Sequence, residues 1–168
     1  MDNTGLNTNS IAFIGLCNEY CISIENVKET DKQEFVDNML RLLPRIYISA
    51  TDLQIDLPGE EDQFVENFLD EDYYDALRRN MEALMGEDDV YLEVFEEDMK
   101  YSDTPVAASI SEGLADLFQV LYNFINSIRD TTDDTVKLAL INIREDFQSY
   151  WSAILCNVLR ALNHIKMN

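Results

Sequence analysis

SISEGLADLFQVLYNFINSI, residues Ser109 to Ile128, decides the fold class. Ser109 and Glu112 form an S-x-x-E capping box, a pattern that satisfies two backbone N–H groups at a helix start. Behind it Leu114, Leu117, Phe118, Leu121, Phe124, Ile125 and Ile128 recur at three- and four-residue steps. That period places them on one helix face. Asp116, Gln119, Asn123, Asn126 and Asp130 form a polar stripe beside it. A helix with so broad an apolar face needs other helices to cover it.

Those helices are legible on both sides. Downstream, Val136, Leu140, Ile143, Phe147, Trp151, Ile154, Val158, Leu162 and Ile165 keep one stripe from about Asp133 to near the end. Tyr150, Leu155 and Leu159 widen it, which predicts an antiparallel bundle helix and not a coiled coil. Upstream, Ser10 is the expected N-cap of a first helix carrying Phe13, Cys17, Tyr20, Ile24 and Val27. Thr30 and Gln33 read as a T-x-x-Q capping box for a second helix, with Phe35, Val36, Met39, Leu40, Leu43, Ile46 and Tyr47 behind it. Pro44 inside that run predicts a kink or a break. Pro58-Gly59 signals a turn, and Gln63 to Leu69 reads as a short helix with Phe64, Phe68 and Leu69 facing in. Tyr73, Leu77, Met81 and Leu84 mark another helix, closed by Gly86. Only Val90 to Phe95 has strand-like composition, and no second such run stands ready to pair with it. The expectation is an all-α, single-domain antiparallel bundle of five to seven helices with one long C-terminal helix. Residues 1–9 form a flexible N-terminus and residues 10–168 the helical domain.

Composition supports one domain. The 168 residues are 46% hydrophobic with only five Gly and three Pro, a globular profile that favours long helices. The net charge of −21 excludes direct nucleic-acid binding, which needs a basic face, and disfavours anionic membranes. The polar start MDNTGLNTNS has no basic n-region, and no apolar run reaches the length of a membrane span. Cys17, Cys21 and Cys156 are read as buried reduced thiols. A cytoplasmic location follows.

The charge is concentrated. Asp52 to Asp103 holds 19 acids and 3 bases, whereas the rest of the chain holds 14 and 9. Its densest part is GEDDVYLEVFEED, Gly86 to Asp98. Tyr91, Val94 and Phe95 are the expected anchors of that connector. Glu87, Asp88, Asp89, Glu93, Glu96, Glu97 and Asp98 are the expected partner-facing acidic surface. Loose divalent-cation binding by Glu87, Asp88, Asp89, Glu96, Glu97 and Asp98 is one alternative, because carboxylates are hard ligands. DLQIDLPGEEDQ has Leu57 where an EF-hand loop needs glycine. A second alternative is nucleic-acid mimicry, with carboxylate rows occupying a basic cleft.

Catalytic patterns are absent. There is no G-x-S-x-G, no phosphate-binding glycine loop, and a single His164 outside any E-x-x-H or zinc spacing. Glu112 is accounted for by its capping box, and Asp116 by the polar stripe. The expected function is therefore a protein-interaction or regulatory domain that docks a protein partner, a basic one by charge. No enzyme activity, cofactor or metal is expected.

Asp88-Asp89-Val90-Tyr91, Glu93-Val94-Phe95, Pro105-Val106 and the run Ser109 to Phe118 resemble a bacterial family known as domain of unknown function number five thousand and sixty-three. The C-terminal Phe147, Tyr150-Trp151 and Leu159-Arg160-Ala161-Leu162 are similar to its closing helix, and Leu42-Leu43-Pro44 to its second. The resemblance covers most of the chain after about residue 10. It implies a helical, soluble bacterial protein with no established activity. It also implies an acidic residue at the position of Gly113 and further histidines near Trp151. This chain has Gly113, Tyr150, Ser152 and Leu155 there, so the resemblance implies no histidine metal site in it.

Overall fold

Ile110–Ser127 forms the helix, α4, around which the others assemble. The computed structural model describes residues 6–56, 66–93 and 106–167. Ahead of α4 come α1 (Thr8–Glu25), a short 3-10 turn (Val27–Glu29), α2 (Lys32–Thr51) and α3 (Glu71–Met85). After it, α5 (Asp133–Asp146), a π-turn (Phe147–Trp151) and α6 (Ser152–Met167) run on without interruption as one long C-terminal helix. α4 packs on α1, α3, α5 and α6, while α2 packs on α1 and α6. This central place follows from its sequence: Ile110, Leu114, Leu117, Phe118 and Leu121 are completely buried. The all-helical single domain with one long C-terminal helix is as expected.

One continuous core joins these helices. Phe13 of α1 lies 5.7 Å from Phe124 and 6.4 Å from Trp151, ring centre to ring centre. Phe147 meets Trp151 edge-on at 4.5 Å, and Tyr47 of α2 meets Phe147 at 5.1 Å. Such tilted arrangements add to the stabilisation from burial alone. The polar tips are satisfied as well. Tyr20 Oη donates to the Leu114 carbonyl at 2.7 Å, and Trp151 Nε1 donates to the Ile143 carbonyl at 3.0 Å.

α4 and α6 approach closely at Gly113. A Cβ there would lie 2.5 Å from Cγ2 of the fully buried Val158. Gly86, expected as a closing cap, has φ 60 and ψ −130 and donates its N–H to the Glu82 carbonyl. A side chain is strained in that conformation.

Several local expectations are corrected. The cap of α1 is Asn7, not Ser10: Asn7 Oδ1 accepts from the Ser10 N–H at 2.9 Å, and its amide donates to the Gln54 carbonyl at 2.8 Å. Helical structure therefore starts at Thr8, inside the span read as a flexible tail. α2 is capped by Asp31, whose carboxylate accepts from the Glu34 N–H at 2.8 Å, so the box is displaced by one residue from Thr30–Gln33. Asp competes well here because its charge suits the helix N-terminus. Pro44 does not break α2, because Leu42, Leu43 and Ile46 on either side are buried.

Residues 66–70 are not helical, contrary to the reading of Gln63 to Leu69; Phe64 lies outside the described residues. The N–H groups of Phe68 and Leu69 bond instead to Asn123 Oδ1, at 2.8 and 3.2 Å. Leu69 is buried, whereas Phe68 is 39% exposed. Val90–Leu92 (β1) does find a partner: it pairs antiparallel with Ala107–Ser109 (β2), with Val90 opposite Ser109. The partner strand is three residues of Ala and Ser, too short and too small to carry a strand signature. Tyr150, read as part of the apolar stripe, is 52% exposed, and Trp151 beside it is fully buried.

Candidate functional site

The acidic connector is built onto the start of α4. A 3-10 turn, Gly86–Asp89, leads from α3 into β1, and β1 lies along β2, whose last residue Ser109 caps α4. Ser109 Oγ accepts from the Glu112 N–H at 3.1 Å. Asp89 adds a second cap from a distance. Its two oxygens accept from the Ser111 N–H at 2.8 Å and the Ser111 hydroxyl at 2.7 Å. Asp89 is only 4% exposed.

The expected partner-facing acids therefore divide. Glu87 and Asp88 are exposed, and Asp88 is paired with Lys32 at the start of α2. Asp89 is removed from the surface set, because its carboxylate is used inside the protein at a helix N-terminus. Glu93 is half-buried and accepts from the Tyr91 hydroxyl at 3.2 Å, while its N–H donates to the Val106 carbonyl at 2.8 Å. Glu96, Glu97 and Asp98, with the expected anchors Val94 and Phe95, lie outside the described residues. Tyr91 is half-buried against the core, as an anchor should be. Further acids are exposed where α3 begins: Asp70, Glu71 and Asp72, with Asp70 accepting from the Asp72 and Tyr73 N–H groups. Later in α3 the acids are partly neutralised, because Arg78 and Arg79 pair with Asp75, and Arg78 with Glu82.

Burial pushes the Cys17 thiol well above its usual value and the Cys21 thiol up to about 12, with the nearby Glu25 adding to the second. Such thiols are poor nucleophiles. Cys156 is exposed, contrary to expectation, because it faces away from the Leu155 and Val158 side of α6. Asp116 accepts from the Tyr74 hydroxyl at 2.6 Å, which ties α4 to α3. Among the described residues no three His, Cys, Asp or Glu side chains converge as a metal site would require.

A feature missed by the sequence reading lies between α4 and the C-terminal helix. A cavity of about 460 Å³ opens there over Val120, Phe124, Ala139 and Ile143. Gln119, Asn123 and Ser127 border it from α4, and Asn142, Asp146 and Tyr150 from the other side. Asp146 ends α5, and Tyr150 lies within the π-turn, a feature enriched at functional sites. Burial raises the Asp146 carboxyl above the usual carboxylate value.

Fold and surface together define a mainly helical domain in which Asp89 and the β1–β2 pair tie the start of the acidic stretch to the central helix. The chain belongs to the family described as Domain of unknown function (DUF5063), whose model matches residues 5–168. Its fold is similar to that of protein BF1032 from Bacteroides fragilis, known from a crystal structure. The TM-score is 0.79 at 28% identity, covering 95% of this chain and 93% of that one. Comparison with curated proteins finds no match. Among the described residues no helix is long and apolar enough to cross a membrane.

Proposed function

We propose that this domain acts by docking a protein partner and not by turnover, and that the partner presents a basic surface. The observation that carries this reading is the acidic surface on a fixed backbone. Asp70, Glu71 and Asp72 are exposed at one end of α3, and Glu87 and Asp88 just past the other. The β1–β2 pair and the Asp89–Ser111 bonds hold the second group in place. A preordered charged surface binds with less entropy lost than a mobile one, and its field speeds encounter with an opposite charge. A cytoplasmic setting fits this role.

The test is affinity purification from the native host with partner identification. The intact domain is compared with a variant carrying Glu71→Gln, Asp72→Asn and Glu87→Gln. These residues are exposed, so the variant should keep the fold, with only a small drop in melting temperature from losing two first-turn acids of α3. The expected result is a basic partner that is retained at low salt, released by added salt, and lost from the variant. A partner set unchanged in the variant places docking on another surface.

A further inference from the structure

The groove between α4 and the C-terminal helix has the make-up of a ligand site, independent of the acidic connector. Its volume of about 460 Å³ falls in the range of small-molecule pockets, about 300–1,000 Å³. Its lining is divided in the way such pockets are. Val120, Phe124, Ala139 and Ile143 supply an apolar floor, while Gln119 and Tyr150 bring an amide and a hydroxyl to its edge; the Ser127 hydroxyl donates to the Phe124 carbonyl at 2.7 Å. Asn123 is already engaged, with its side chain holding the backbone of Phe68 and Leu69 and the Asn67 amide.

Asp146 sets the chemistry. Among the described residues it is the only carboxylate bordering the groove, and it has no ion pair and no hydrogen-bond donor there. The neighbouring Arg144 does not serve it; its guanidinium donates to the Leu53 carbonyl at 3.4 Å. Asp146 is exposed at the edge of an apolar groove, and a carboxylate there without a counter-charge attracts an incoming cation. Tyr150, one helical turn away on the same rim, offers an exposed ring that a cation can also contact.

We propose that this groove binds a small organic cation: an amine or amidine on a flat apolar body, with its charge at Asp146 and its body on the Val120–Phe124–Ala139–Ile143 floor. Carboxylate and phosphate ligands are disfavoured by the same carboxylate and by the net charge of −21. The π-turn gives the site its shape, because it carries Tyr150 on the rim while keeping Trp151 in the core.

The experiment uses two probes of the same shape, benzamidine and its neutral counterpart benzamide, titrated into the full chain and followed by amide NMR shifts. Because any cation is drawn to so acidic a protein, a matched control variant is included. Asp146→Asn and Glu87→Gln each remove one negative charge, but only the first touches the groove. The expected outcome is saturable benzamidine binding, with shifts confined to Gln119–Ser127 and Ala139–Tyr150. Benzamidine should bind about tenfold more tightly than benzamide, the ratio that one charge-assisted hydrogen bond supplies. Asp146→Asn should remove that preference, and Glu87→Gln should preserve it. Equal binding of the two probes, shifts spread over the acidic face of α3, or unchanged benzamidine affinity in Asp146→Asn would each overturn the proposal. So would a lack of saturable binding at millimolar probe. Both variants change exposed side chains, and melting curves matching the parent will show that the fold is intact.

Discussion

At the scale of single residues, two side chains carry more structure than their types suggest. Asp89 is one of a run of three acids, yet both its oxygens are bonded to Ser111 at the first turn of α4. Removing the carboxylate would leave the buried Ser111 N–H without its partner and its hydroxyl with only the 3.4 Å contact to Ser109 Oγ. Asp89→Ala should therefore destabilise the domain by about 2–4 kcal/mol, whereas Asp88→Ala next to it should cost under about 1 kcal/mol. Urea unfolding of the two variants measures the difference. Equal effects would mean that the Asp89 bonds are not the anchor of the connector. Gly113 is the second case. Alanine normally improves a helix by about 1 kcal/mol over glycine. Here its Cβ would meet the β-branched Val158, which is fully buried between α4 and α6. Gly113→Ala should instead lose about 1–3 kcal/mol through overpacking. The effect should shrink when Val158→Ala is already present, so the two changes should couple in a double-mutant cycle.

At the scale of elements, α2 holds a testable conflict between local preference and packing. Pro44 has no N–H to give the Leu40 carbonyl, yet the helix continues from Lys32 to Thr51. The buried neighbours Leu42, Leu43 and Ile46 hold it against a proline cost of about 3 kcal/mol. Pro44→Ala restores that bond and gives back some freedom to the unfolded chain, so a net gain of about 1–2 kcal/mol is expected. A loss on thermal melting would show that the pyrrolidine ring packs better than this allows. The elements also show what could be read in advance. The helices were legible because stripes such as Leu114, Leu117, Phe118 and Leu121 repeat at a spacing that only a helix puts on one face. The starts of α4 at Ser109 and α5 at Asp133 are as read, whereas those of α1 and α2 were misplaced by one to three residues because Asn7 and Asp31 cap as well as Ser10 and Thr30 do. The π-turn was hidden, since Phe147 and Trp151 keep a four-residue spacing that an ordinary helix shares. β1 showed in its composition, but β2, three residues of Ala and Ser, is below what composition or periodicity can register. The site was least legible. Asp89 and Ser111 are 22 residues apart, and nothing local distinguishes an acid that will be buried from its solvated neighbours. The groove is likewise a product of how α4 and α5 pack, a relation between elements that no single stripe contains.

At the scale of the whole molecule, the charge and the core set opposite limits on stability. The net charge of −21 opposes compaction, and added salt should relieve part of that repulsion. The alkaline limit comes from the interior. Cys17, Cys21 and Tyr20 lie together on the inward face of α1, and burial is the largest cause raising all three. The unfolded chain releases the Cys21 proton from about pH 9, whereas the folded chain keeps it until about 12. Between those values the folded state binds more protons than the unfolded state, so stability falls as pH rises. Cys21 alone contributes a loss of about 1.4 kcal/mol per pH unit across that window, and Cys17 acts in the same direction. Below pH 9 both states are protonated, and neither thiol adds a slope. Unfolding under reducing conditions from pH 7 to 10.5 should therefore show a plateau followed by a fall beginning near pH 9. A Cys17→Ala, Cys21→Ala variant should start lower, because it loses packed sulfur atoms, but its fall should be shallower. If the variant and the parent fall in parallel, the alkaline limit belongs to the tyrosines and to the general charge. If the variant's curve flattens and approaches the parent's at high pH, the thiols of α1 set it.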